Sequence, residues 1–211
     1  MEINPNDLKP KDVYKLLSGA VIPRPIAWVS TVSKDGINNL APYSFANALS
    51  GDPPTVFSGG RPNGNNKDSI QNVLDTEEFV FNIVTYSLAQ QMNISATTSS
   101  PEVDEFKEAG LTPGKSKLVK APRVLESPIN FECKLTGTFD ISGGVGPGSL
   151  VVFGRVVHMH IADEVLLPDH KIDPLALDPL ARLSGPSYSR IEQLLNIERK
   201  NWGADVDPKK K

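Results

Sequence analysis

The chain has 211 residues, with 22 Lys and Arg against 25 Asp and Glu and a hydrophobic content of 39%. That composition suits one soluble domain with a sizeable core. The formal charge of −3 offers no basic footprint for nucleic acid, and no apolar run approaches the roughly 18 residues a membrane helix needs. A single cysteine, Cys133, excludes an internal disulfide, and the first residues lack the apolar core of a signal peptide, so a cytoplasmic setting is expected.

Residues 12–17 predict a short helix ended by Ser18 and Gly19. After Pro23 and Pro25, alternation from Ile26 to Ser33 places Ile26, Trp28, Ser30 and Val32 on one face of a strand. Lys34-Asp35-Gly36 reads as a hairpin turn, Gly36 supplying the positive φ such turns require. The return strand from Ile37 is chemically odd. Residues 38–48 mix small, polar and aromatic side chains without clean alternation, and Pro42 cannot donate to a central ladder. Asp52-Pro53-Pro54 then turns the chain into an apolar strand over residues 55–59, followed by a polar loop to Asn66.

Asp68-Ser69-Ile70-Gln71 has the spacing of a capping box, with Asp68 as the cap and Ile70, Val73 and Leu74 as the apolar stripe of the helix it opens. A strand follows over residues 78–85, then a second capping box at Ser87-Leu88-Ala89-Gln90 with a helix to about Ile94, and a short helix over 102–109 closed by Gly110. Residues 115–128 read as an extended connector. From Ile129 the pattern sharpens. Ile129, Phe131, Cys133, Leu135 and Phe139 alternate with Asn130, Glu132, Lys134, Thr136, Thr138 and Asp140, which predicts a strand with one buried and one wet face.

A glycine-rich loop spans 141–148, and residues 150–161 form a strand apolar on both faces, with His158 and His160 on the side of Val152 and Val156. Its second face therefore needs a helix or a second subunit over it, and Arg155 on that face fits an interface ion pair. Residues 177–183 read as helical around Pro179, 184–188 as a loop, 189–200 as a last helix and 201–211 as a tail. Strands outnumber the short helices and no βαβ rhythm appears. The chain is expected to be one domain over 1–200, mainly β with peripheral helices, in an antiparallel barrel.

Two segments carry candidate chemistry. Lys67-Asp68-Ser69 at a helix start can bring backbone N–H groups, an ammonium and a hydroxyl to one anion; the same residues also fit a solvated lysine beside an ordinary cap. Tyr43-Ser44-Phe45-Ala46-Asn47 offers aromatics and small polar groups, and fits either a ligand wall or a bulged edge strand. Together they describe a site for a planar apolar body with a phosphate at its end, as in flavin mononucleotide (FMN). His158 and His160 share a strand face, but His170 is the only other histidine and no cysteine cluster exists. No metal is expected, and a core-facing or interface pair is the plainer reading. Cys133, between Phe131 and Leu135, reads as an inert buried thiol, and no Ser-His-Asp arrangement is legible.

Several separated motifs, in order, resemble the flavin reductase-like family of FMN-binding split β-barrels, flavoredoxins included. They are Arg24 to Thr31, Asn39 to Phe45 with Asn47, Asp52-Pro53-Pro54, Lys67-Asp68-Ser69, Val103 to Phe106, Ala109-Gly110-Leu111, Ser127-Pro128 and Arg182-Leu183. The resemblance runs from about Gly19 to Tyr188. It implies a homodimeric Greek-key split barrel holding FMN near the subunit interface. Tyr43, Ser44, Phe45, Ala46 and Asn47 would line the ring and ribityl chain, and Ser58, Lys67, Asp68 and Ser69 the phosphate. Trp28 and the loop from Arg182 to Tyr188 would be walls. Where the family pattern has Ser-Phe-Phe-Asn this chain has Ser44-Phe45-Ala46-Asn47, and the glycine pair after Arg-Leu is Ser184-Gly185.

The implied activity is hydride transfer from NADH or NADPH to the flavin, with electrons passed to a partner protein. A carrier that only exchanges electrons is the alternative, and a barrel that has lost its ligand a third.

Overall fold

The computed structural model describes residues 1–52, 54–60, 67–141 and 149–198. The expected loops over 61–66 and 142–148 and the tail lie outside the described residues. Seven antiparallel strands dominate: β1 (Ala27–Val32), β2 (Asn38–Tyr43), β3 (Ala46–Gly51), β4 (Pro54–Gly60), β5 (Glu78–Ile83), β6 (Ile129–Asp140) and β7 (Leu150–Ile161). They form one sheet in the order β2-β1-β5-β6-β7-β4-β3. Its two edges, β2 and β3, are consecutive in the chain, joined only by Ser44 and Phe45.

That connection dictates the shape. Laid flat, seven strands at about 4.8 Å spacing would hold the edges about 29 Å apart. The three Cα steps from Tyr43 to Ala46 span at most about 11 Å. The sheet must therefore roll until its edges meet at Ser44-Phe45, giving a barrel with its seam there. Pro42 is tolerated because β2 is an edge strand, paired only to β1 with Pro42 opposite Trp28.

The barrel interior is packed by Ala27, Val29, Tyr43, Ala46, Val56, Phe79, Phe81, Cys133, Val152 and Val156, and the helix α2 (Asp68–Thr76) closes it with Ile70 and Val73. Burial pushes the Cys133 thiol far up, which keeps it protonated and inert. Gly154 is forced by close approach: a Cβ there would sit 2.4 Å from the Phe79 ring. On the outer face of β1 and β2, Trp28 and Leu40 pack with Leu88, Met92 and Phe106 from beneath the helices α3 (Ala89–Ile94) and α4 (Glu105–Glu108).

Several expectations change. Neither capping box forms. Lys67, not Asp68, is the N-cap of α2, and α3 follows a turn of 3-10 helix over Tyr86–Leu88 with Leu88 as its cap. The helix α1 runs longer than expected, Pro10–Ala20, because Pro10 can occupy the first turn. Only Pro174–Leu177 is helical (α5) before Ala181–Arg182 pairs with Tyr188–Ser189, and residues 191–198 have no helix.

The face of β6 expected to be wet is buried at one end. Asn130 and Glu132 are 1% and 0% exposed, while Phe139 is 62% exposed. The connector expected over 115–128 is the cause, because its stretch from Ser116 to Val124 lies over this outer face and is stapled to it by a polar ladder. The Ser30 hydroxyl donates to the Pro122 carbonyl, and Asn82 Nδ2 donates to the Trp28 carbonyl and Ser30 Oγ. Asn82 Oδ1 accepts from Val124 N at 2.9 Å and Asn130 Nδ2 at 2.9 Å. Glu132 accepts from the backbone N–H groups of Lys117, Leu118 and Val119.

The connector also supplies the second cover of β7, where Val157 packs on Val80, Val119 and Ala121. The register shifts between Glu132 and Cys133, leaving Val157 as an extra residue. His158 and His160 thereby emerge on the Glu132 side rather than beside Val156. No helix among the described residues is long and apolar enough to cross a membrane.

Candidate functional site

The seam and the start of α2 converge on Tyr43. It is the last residue of β2, buried at 6% exposure, with its hydroxyl hydrogen-bonded to the buried Ser69 Oγ in the first turn of α2. Burial pushes the phenol up to about 12, with the Ser69 hydrogen bond opposing and the charges of Asp68 and Glu105 adding to the rise. Tyr43 is therefore a neutral, fixed wall. Over its ring stands the Lys67 ammonium, 5.6 Å from the centroid.

Lys67 is an unusual N-cap. Caps are normally Ser, Thr, Asp or Asn because their side chains accept from the first-turn N–H groups. An ammonium only donates, and Lys67 makes no side-chain cap. Among the described residues no side chain caps the first turn of α2, while its dipole and the ammonium both favour an anion there. Asp68 opposes an anion there, and burial and the charge of Glu102 push its carboxyl upward.

Past Tyr43, the seam turns polar and open. Ser44 is half-buried, Phe45 is 46% exposed, and Asn47 to Gly51 are exposed along the edge strand β3. Asn47 Oδ1 accepts from Ala48 N at 2.9 Å. Ala46 differs from expectation: at 7% exposure it faces the barrel core, so it offers a ligand backbone only. Ser58 stands opposite Ala46 in β4 and opposite Val152 in β7, which puts it on the seam by register.

Phe45 is held by residues that the sequence argument left without a role. Tyr14 of α1 meets its ring edge-on with centroids 6.1 Å apart, and the Arg24 guanidinium lies 5.5 Å from its centroid. Arg24 is 6% exposed and donates to the carbonyls of Ser18, Val21 and Leu183. It fastens the end of α1 and the 182–188 loop beneath the seam. In the sequence it was marked by its place between Pro23 and Pro25 and at the head of the Arg24 to Thr31 motif, with no role attached.

Two expected walls are not brought to Tyr43. Trp28 is 0% exposed in the outer core, with Nε1 donating to Ser95 Oγ at 2.8 Å, because the alternation of β1 sends Ala27 and Val29 toward Tyr43 and Trp28 away. Arg182 closes its own loop, donating to Tyr188 Oη and the Gly185 carbonyl with its guanidinium 4.5 Å over the Tyr188 ring. Among the described residues, that loop is tied to the seam through Arg24.

The barrel interior behind Tyr43 and Ser69 holds a void of only about 10 Å³, too small for an organic ligand. A ligand must lie along the outside of the seam. The donor set there fits a group with a flat apolar body and a phosphate: the Lys67 ammonium and uncapped first-turn amides for the anion, and the exposed Phe45 with the β3 edge backbone for the body.

Comparison with known proteins bears on the fold and the family. Residues 18–177 match the flavin reductase like domain. An uncharacterized protein of Halalkalibacterium halodurans is 40% identical over 202 residues, covering 94% of this chain and 96% of that one. Nitrilotriacetate monooxygenase component B from Bacillus cereus superposes with a TM-score of 0.90 at 34% identity, covering 93% of this chain and 98% of that chain. The 2-nitrobenzoate 2-nitroreductase of Pseudomonas fluorescens gives 0.84 at 28%, covering 98% of this chain and 100% of that chain. A split-barrel protein from Shewanella frigidimarina, at 22% identity, matches the fold with a TM-score of 0.83 over 95% of this chain and 100% of that one. The mainly β fold is thus a split barrel, and the chain belongs to the flavin reductase-like family.

Proposed function

We propose that the protein binds FMN along the seam and catalyses electron transfer from NADH or NADPH to it. The observation that carries this reading is the donor-only N-cap Lys67 over the Tyr43 ring at the start of α2. When bound, FMN supplies the hydride- and electron-transfer chemistry, so the protein need only hold and orient. In this reading Lys67 and the first-turn amides of α2, with Ser69 and Ser58 beside them, hold the phosphate. Tyr43 stays protonated and adds no charge of its own at that end of the site. Ser44, Phe45, Asn47 and the backbone of Ala46 lie against the ring and ribityl chain, with Arg24 fixing the tilt of Phe45.

We also propose that the site is completed in a homodimer. Phe45 and Leu49 are 46% and 53% exposed, and nearby α1 presents Leu17 and Val21 at 57% and 61%. Apolar groups clustered around an open site are better accounted for by a second subunit than by solvent. A cytoplasmic setting belongs to the same proposal, as does a redox partner protein for the outgoing electrons.

The test is anaerobic mixing of FMN-loaded protein with NADH or NADPH. Loss of the visible flavin absorbance within seconds is expected. If neither nucleotide reduces it while dithionite or a reduced ferredoxin does, the protein is an electron carrier and the reductase reading is wrong. The similarity to a nitrilotriacetate monooxygenase component and to a 2-nitrobenzoate 2-nitroreductase, at 34% and 28% identity, supports an oxidoreductase.

A further inference from the structure

The bulge in β7 assembles a second chemical cluster, far from the seam. Glu132, His158 and His160 each offer one ligand atom, and all three atoms lie within 4.8 Å of one another. We propose that these three residues form a binding site for a divalent transition metal ion of the zinc class.

The residue types are the first argument: two imidazoles and one carboxylate are a donor set that zinc, cobalt and nickel share. Geometry is the second. Around a tetrahedral ion with bonds of about 2.05 Å, donor atoms stand roughly 3.3 Å apart. The His160 Nε2 to Glu132 Oε1 distance is 2.6 Å and the widest separation in the set is 4.8 Å. The first pair need only part slightly and His158 swing inward; both imidazoles are half-buried, their rings edge-on with centroids 4.8 Å apart.

The third argument is the setting of Glu132. It is 0% exposed, and Oε2 accepts from the N–H groups of Leu118 and Val119 while Oε1 accepts from Lys117 N. A carboxylate has about four lone-pair directions. Three are filled by fixed backbone donors, and the fourth points at His160. A carboxylate so anchored is a pre-oriented ligand with its outer-shell partners in place. The ion would sit where the hydrogen bond between His160 Nε2 and Glu132 Oε1 now runs.

An open cleft of about 440 Å³, lined by Arg123, Asn130, Met159 and His160 among others, gives the ion a route from solvent. The site lies about 20 Å along β7 from the register position of Ser58, six residues at about 3.3 Å each, so its role is separate from the flavin. It would tie β6 and β7 to the 116–124 connector.

The experiment is titration of chelator-treated full-length protein with Co²⁺, followed by visible spectroscopy and competition with Zn²⁺. One Co²⁺ per chain, with the intense d–d bands of a four-coordinate site and displacement by Zn²⁺, is expected. His158→Ala and His160→Ala should each weaken Co²⁺ by more than the roughly 10- to 100-fold that loss of an outer-shell partner costs. His170→Ala should leave it unchanged. Glu132 also holds the connector's amides, so the histidine variants, checked by circular dichroism, carry the test. Failure to saturate at millimolar Co²⁺, or bands that survive both His158→Ala and His160→Ala, would overturn the proposal.

Discussion

Replacing Gly154 by alanine probes the packing behind the candidate site. The new Cβ would stand 2.4 Å and 2.6 Å from two Phe79 ring atoms and 3.2 Å from Cys133 Cβ. Carbon atoms rest at about 3.5–4.0 Å, so the ring must shift by about 1 Å or the strand must bow. Phe79 is 1% exposed, and the void beside it, shared with Tyr43 and Ser69, is only about 10 Å³. That is no more than a water-sized gap and cannot absorb a displaced ring. The overpacking should therefore cost about 1–3 kcal/mol. For a chain of this size the melting temperature falls by about 2–4 °C per kcal/mol. Urea unfolding of Gly154→Ala, Phe79→Leu and the double variant gives the assay. The smaller Leu should relieve part of the clash, with a coupling of at least about 0.5 kcal/mol. A Gly154→Ala protein as stable as its parent, or strictly additive losses, would refute the reasoning.

Other expectations can be checked as directly. In the apo protein, Tyr43 ionises near 12 while an unfolded tyrosine ionises near 10. Above about pH 10 the unfolded chain has given up a proton that the folded chain keeps, so this contribution to stability is lost from about pH 10 upward and levels off near 12. An ultraviolet pH titration should show one late-ionising tyrosine that Tyr43→Phe removes, and its absence from that titration would count against the buried Tyr43–Ser69 pair. Asn82→Ala should cost about 3 kcal/mol or more, because it strands the buried Val124 amide and removes three further buried hydrogen bonds, to the Trp28 carbonyl, Ser30 and Asn130. A loss below about 1 kcal/mol would mean the ladder is not what holds the connector. Sedimentation should give twice the 22.9 kDa chain mass, and a monomer that still binds FMN at full strength would disprove completion of the site by a partner.

Much of the scaffold was legible because its strands obey a period of two. The alternation through β1 and the two-faced apolar run of β7 are read from the chain without ambiguity. What defeated the reading was covering and counting. Asn130 and Glu132 look like a wet face because nothing local tells that the connector, dozens of atoms of unpatterned chain, will fold back over them. One extra residue, Val157, reverses the facing of His158 and His160. The Lys67 segment was legible as a candidate anion site, yet its strongest feature was misread: Asp68 looks like a cap by spacing, whereas backbone geometry gives that position to a lysine that cannot cap. Trp28 looked like a ligand wall because aromatic residues serve both purposes, and only the pairing of β1 with β2 decides which side it takes. Arg24 shows the reverse case, a buried cation whose partners are carbonyls remote or unmarked in sequence.

The most direct test of the central claim is calorimetric titration of FMN and riboflavin into the parent protein and Lys67→Ala. A charge-assisted hydrogen bond to phosphate is worth about 1.5–3 kcal/mol. The account predicts that FMN binds the parent tightly and loses roughly 10- to 100-fold in affinity in Lys67→Ala, while riboflavin, which has no phosphate, binds both proteins alike. No FMN binding by the parent, or equal losses for the two flavins, would contradict it.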